Sequence, residues 1–131
     1  MIVVSGKQLK IQMKLESSEF NALRRAVART IDPEVYEHYC SMNNIFGSIE
    51  DLDAYDDKTK ALAKSRKDYT DVIDFLYMYD AEGEIGYKTC AKILDLLKGR
   101  YSEEEIPNLK IFKEILTECS ERRHRMFWLE R

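Results

Sequence analysis

From Leu9 to Leu15 the chain reads Leu9-Lys10-Ile11-Gln12-Met13-Lys14-Leu15, a strict alternation of apolar and polar residues. Successive side chains of a strand point to opposite faces, so this run specifies a strand with one buried and one wetted face. Ser5-Gly6 ahead of it is a turn signal, which lets Ile2 to Val4 fold back as a short neighbouring strand. At the other end, Met126-Phe127-Trp128-Leu129 is short and aromatic enough to form a terminal strand.

The middle of the chain has helical spacing. Ser17 and Ser18 stand where a cap is needed, and Phe20, Leu23, Ala26 and Val27 then form one apolar stripe. Asp32-Pro33-Glu34 opens the next helix, with Asp as cap, Pro at the first position and an acid at the positive end. Val35, Tyr36, Tyr39, Cys40 and Met42 supply its buried side, and Asn43-Asn44 and Gly47-Ser48 break it. Ser48 followed by Asp51 resembles a capping box with Asp in place of Glu, which predicts another helical turn there. The stretch from Asp57 to Tyr79 reads as helical in two pieces, with a break near Asp68 to Thr70. The loop Asp80 to Gly86 leads to a helix from Tyr87 to Lys98 that Gly99 stops. Pro107 begins the last helix, where Leu109, Phe112, Leu116 and Cys119 recur at three and four residues.

These signals predict an α+β fold, mostly helical. Five or six helices pack on a small antiparallel sheet formed by the chain-terminal strands, in a single compact domain over residues 1–131. The balance of 21 basic against 24 acidic residues, a net charge of −3, argues against a general nucleic-acid or membrane-surface binder. Three widely spaced cysteines, Cys40, Cys90 and Cys119, are too few and unpaired for a disulfide framework, so they read as reduced, mostly buried thiols. The first residues lack a basic leader, and the longest apolar runs are too short to span a bilayer. The expected location is the cytoplasm, with no membrane association.

The chemistry-bearing patterns each have a plainer structural reading. With Gly83 at position 6 of a calcium-binding loop, Asp80 and Glu82 fall on ligand positions, but Met78 and Thr89 occupy the two anchoring ones. The plainer reading is a helix-loop-helix corner. Gly83-Glu84-Ile85-Gly86 matches a phosphate-clamping loop in outline, but Glu82 and Glu84 would repel phosphate. Cys119 and His124 offer two zinc ligands and no others are in sight, while the position of Cys119 on an apolar stripe makes it an inert thiol. Asp71 and Asp74, three apart, suit a solvated face better than acid-base work. No metal, cofactor or catalytic residue is therefore expected. Arg122-Arg123-His124-Arg125 with Phe127 and Trp128 leaves nucleic-acid binding as an alternative, and an enzyme whose site is assembled from distant residues is a further one.

The run Asp74-Phe75-Leu76 … Asp80-Ala81-Glu82-Gly83-Glu84-Ile85-Gly86-Tyr87-Lys88-Thr89-Cys90, with the Cys119 helix and the aromatic end, resembles small uncharacterised bacterial proteins sharing a D-x-E-G-x-I corner and a later cysteine. The resemblance covers roughly the C-terminal half. It implies a common fold and a bacterial source, and it brings no activity or site residues with it.

Eight tyrosines are too many to be wholly core, because each buried hydroxyl needs a partner. Exposed tyrosine beside acidic residues suits a protein-binding surface. The sequence therefore reads as a non-enzymatic, inhibitor- or adaptor-like domain that binds a protein partner. Its candidate binding residues are Tyr55 and Asp53 in the acidic segment Glu50 to Asp57, and Tyr79, Glu84 and Tyr87 around the acidic loop.

Overall fold

The computed structural model describes residues 1–7, 10–44, 48–102 and 104–131, so Leu9 and Gly47 lie outside the described residues. In chain order it contains β1 (Ile2–Gly6), β2 (Gln12–Leu15), α1 (Ser17–Ile31), α2 (Pro33–Cys40), α3 (Ile49–Ser65), α4 (Thr70–Leu76), β3 (Glu82–Ile85), α5 (Tyr87–Leu97), α6 (Leu109–Arg122) and β4 (Met126–Glu130). The fold is α+β, with helices packed on one antiparallel sheet of strand order β2-β1-β4-β3. The strands nearest the chain ends, β1 and β4, pair at its centre, with Val4 opposite Trp128.

One element departs from the sequence reading. Glu82 to Ile85, expected to be part of a loop between helices, is instead the edge strand β3, paired with β4 from Glu82↔Leu129 to Ile85↔Met126. Glycine and two acids weaken a strand signal, but β4 supplies a ready ladder and the acids stay on the wet face. The corner is thus strand-to-helix, and Gly83 lies directly across from Trp128.

Local caps largely follow the sequence. The Asp32 side chain accepts the Val35 N–H at 2.9 Å, with Pro33 opening α2. Ser48 Oγ accepts the Asp51 N–H at 3.1 Å and begins a seventeen-residue α3, longer than the single turn read there. The long Asp57 to Tyr79 stretch breaks at Arg66 and a 3-10 turn over Lys67–Tyr69. Gly99, at φ +70°, follows α5 in the left-handed conformation that glycine adopts most readily. Three details differ. Glu16 caps α1 in place of Ser17 or Ser18, with Glu19 accepting the Glu16 N–H at 3.0 Å. Pro107 stands ahead of α6, whose cap is Asn108 at φ 69°. On the α2 side Val35 and Tyr39 are buried, but Tyr36 and Cys40 are only half-buried and Met42 is 43% exposed.

The core forms where α1, α4, α5 and α6 meet the inner face of the sheet. Ile2, Val4, Met13, Leu15, Met126 and Trp128 turn inward from the strands, and Phe20, Phe75, Ile93 and Phe112 meet them from the helices. Among the described residues no helix is long and apolar enough to cross a membrane.

Candidate functional site

The alternation that buries one face of the sheet leaves the other face open. Two cross-strand rows lie on it. In one, Lys14, Val3, Leu129 and Glu82 are successive register partners; in the other, Gln12, Ser5, Phe127 and Glu84 are. Phe127 and Leu129 are large apolar side chains left 40% and 41% exposed. They occupy the centre of the face, Val3 is half-buried beside Leu129, and Lys14, Gln12, Glu82 and Glu84 are exposed at the two edges. The basic residue lies on the β2 edge and both acids on the β3 edge. Arg125 donates to Glu84 at 3.2 Å across the exposed margin.

The five candidate binding residues fall into two groups. Tyr79, Glu84 and Tyr87 belong to the chain entering, forming and leaving β3. Tyr79 is 86% exposed, while its carbonyl accepts the Trp128 indole N–H at 2.9 Å. Tyr87 is half-buried with the Arg123 guanidinium 5.9 Å from its ring centre. Asp53 and Tyr55 belong to α3, where Asp53 is exposed and Tyr55 half-buried.

Tyr55 is engaged in a polar cluster that the sequence did not reveal. Its ring stacks on His38 with centres 4.0 Å apart, and its hydroxyl donates to the His38 carbonyl at 2.9 Å. The Tyr55 and Tyr77 hydroxyls meet at 3.3 Å. Thr59 Oγ1 donates to the Tyr55 carbonyl at 2.9 Å and contacts His38 Nε2 at 2.8 Å. With its proton already committed, the hydroxyl accepts from Nε2–H, which is the tautomer a neutral His38 presents there. Burial, with Lys58 adding to it, holds His38 below the ordinary imidazole range.

No protein-family model, no curated protein and no solved structure matches this chain.

Arg24 is a second group hidden from the sequence reading. It is buried, and its Nη1 donates to the Met78 carbonyl at 2.7 Å and to Asp80 at 3.2 Å. Its guanidinium carbon lies 4.2 Å from the centre of the Phe20 ring, with Phe75 and Trp128 at 5.4 and 5.6 Å. Arg24 thus secures the chain between α4 and β3 from inside an aromatic box. Nε and Nη2 have no hydrogen-bond partner. Its spacing was a usable signal: Phe20, Leu23, Arg24 and Val27 follow the i, i+3, i+4, i+7 pattern of a buried stripe.

Other polar contacts join the helices to one another. Asp71 accepts Thr89 Oγ1 at 2.6 Å and Lys92 Nζ at 3.0 Å, fastening α4 to α5. Burial alone would raise its carboxyl, but those donors outweigh it and hold Asp71 below the ordinary range. Burial, and then the Asp71 charge, push Asp74 up. Among the described residues no group of three or more His, Cys, Asp or Glu side chains is placed to hold a metal ion. Glu82 opens the edge strand β3, and Asp80 lies ahead of it with its carboxylate paired to Arg24. Trp128 is buried with its N–H committed, so of the aromatic pair in the basic tail only Phe127 presents a ring to solvent.

Proposed function

We propose that the protein is a non-enzymatic, cytoplasmic interaction domain that binds protein through the open face of its sheet, and that one occupant of that face is a second copy of the chain. The observation that carries this reading is the pair of rows on the wet face. Apolar Val3, Phe127 and Leu129 sit between a basic edge at Lys14 and an acidic edge at Glu82 and Glu84.

Such a face is complementary to itself. A two-fold axis parallel to the strands, between two stacked sheets, exchanges the β2 and β3 edges while keeping each row at its level. Val3 then meets the partner's Leu129, and Lys14 meets the partner's Glu82. Sheets packed in this aligned manner bury their facing apolar residues in a common layer. The charge pairs at the rim add little affinity but set orientation.

Sedimentation velocity over about 1 to 500 µM, a span suited to dissociation constants in that range, tests this directly. A reversible dimer is expected, with Leu129→Glu leaving monomer throughout. Lys14→Glu and Glu82→Lys should each weaken association several-fold, and the two together should restore it. Monomer at every concentration, or association indifferent to Leu129→Glu, would overturn the reading. So would a double variant no better than either single one.

A further inference from the structure

A cleft of about 700 Å³ opens on a different part of the molecule, between α1, Tyr36 of α2 and the segment joining α5 to α6. Its lining brings together Arg25, Arg29, Arg100, Tyr36, Tyr101 and Glu105. Among the described residues three guanidiniums share this space with one carboxylate, in a chain whose net charge is −3. Arg25, Arg29 and Arg100 are exposed, and none of them takes part in an ion pair among the described residues. Glu105 accepts its neighbouring Ser102 N–H at 3.3 Å.

An anion in the cleft would offset the mutual repulsion of these cations. Arg25 and Arg29 are four residues apart on α1, where like charges repel. The position of Arg29 in the last turn is favoured by the helix dipole, but that favours neither Arg25 nor Arg100. Tyr101 lines the same cleft. Its hydroxyl donates to the Ala26 carbonyl at 3.4 Å, and the charges of both Arg29 and Arg100 act on it, opposing the upward push of burial. Tyr36 offers a half-buried ring with the Arg29 guanidinium 5.8 Å from its centre.

We infer that this cleft binds a small phosphorylated molecule, with its phosphate held by Arg25, Arg29 and Arg100 and its remaining body against Tyr36 and Tyr101. Guanidinium forks match phosphate oxygens two at a time, which separates this site from a merely positive patch. Its volume suits a nucleotide-sized ligand. The sheet face is not involved, so this inference stands apart from the proposed dimer.

Calorimetric titration with inorganic pyrophosphate and with adenosine diphosphate tests it in about 0.1 M salt, where nonspecific attraction is largely screened. Both probes should bind, and Arg29→Gln and Arg100→Gln should each weaken them about tenfold, as expected for the loss of a charge-assisted hydrogen bond. Arg25→Lys, which retains charge and loses the fork, should also weaken binding. Adenosine diphosphate should bind more tightly than pyrophosphate, and Tyr36→Ala should abolish that difference. All four side chains are exposed or half-buried, and unchanged melting would confirm that the variants fold. Three results would overturn the proposal: no binding at about 5 mM ligand, well beyond a specific site's range; equal affinity in the Arg29→Gln/Arg100→Gln double variant; or equal binding of pyrophosphate and sulfate. Equal affinity for the two phosphate probes would remove the tyrosines from the site.

Discussion

Gly83 lies across the sheet from Trp128, and the indole occupies the space where a side chain on Gly83 would begin. A Cβ built at Gly83 would stand 2.6 Å from Cε2 of the ring and closer still to Cζ2. Trp128 in turn packs edge-on against Phe20 and Phe75, with ring centres 5.4 and 5.5 Å away. It is the only tryptophan of the chain, so its fluorescence reports this junction alone.

Gly83→Ala should therefore destabilise the protein by about 1 to 3 kcal/mol, the usual cost of overpacking a filled site. Trp128→Phe, itself destabilising, should remove most of the extra penalty of Gly83→Ala in a double-mutant cycle. Denaturant titrations of the four proteins measure this. Additive effects would mean that the indole does not enforce the glycine.

Removal of residues 126–131 takes away β4, which pairs with both β1 and β3 and carries buried Met126 and Trp128. The expected loss is on the order of 5 kcal/mol or more, comparable with the whole stability of a domain this size. Calorimetry should find no cooperative transition in the shortened protein. A melting temperature within a few degrees of the parent would instead make the segment a dispensable arm.

His38 links folding to mild acid. Because burial first, and then Lys58, lower its folded pKa, the unfolded chain binds the imidazole proton more readily. Stability is then fully present above the ordinary imidazole range and falls as pH drops through it toward the folded value. Chemical denaturation at pH 7.5 and pH 5.5 should show the loss, and His38→Gln should flatten the dependence over that interval. Asp32 and Asp71 have lowered folded pKa values: burial opposes the shift, but the Arg66 and Val35 donors to Asp32, and the Thr89 and Lys92 donors to Asp71, outweigh it. Their contribution is present above the unfolded carboxylate value and is lost as pH falls through the folded one, so it disappears at more acid pH than the His38 step. A profile flat from pH 7.5 to 5.5 in the parent would place His38 in contact with water.

The three cysteines should separate by reactivity. Cys90 and Cys119 are fully buried on α5 and α6, and the neighbouring Cys119 thiol, and then burial, push the Cys90 thiol up. Cys40 is half-buried. Alkylation of the native protein at pH 8 should therefore modify Cys40 first, with the other two modified only after unfolding. Rapid native labelling of Cys90 or Cys119, read by mass spectrometry, would show that the α5–α6 contact opens.

Elements with local signals are legible along the chain. Alternation marks Gln12 to Leu15, Asp32-Pro33 and Ser48 mark the starts of α2 and α3, and Gly99 marks the end of α5. Apolar stripes identify Phe20, Leu23 and Val27, and Leu109, Phe112 and Leu116, as core. Each signal is legible because periodicity and capping depend on neighbours a few residues away. The other features depend on contacts between elements distant in the chain. Glu82-Gly83-Glu84-Ile85 became a strand because β4 pairs with it and Trp128 requires a residue without a side chain opposite, a contact absent from the local pattern. Tyr55 stands in an acidic segment that suggests an exposed aromatic, but packing of α3 against α2 and α4 draws its hydroxyl to His38 and Tyr77. The charge asymmetry of the open face follows from strand order, which sets Lys14 and Glu82 on opposite edges of one row. Arg25 and Arg29 announce a shared helix face, whereas their meeting with Arg100 depends on how α1 packs against the α5–α6 connection. Spacing along one element reports which face is buried; only packing between elements decides what that face meets.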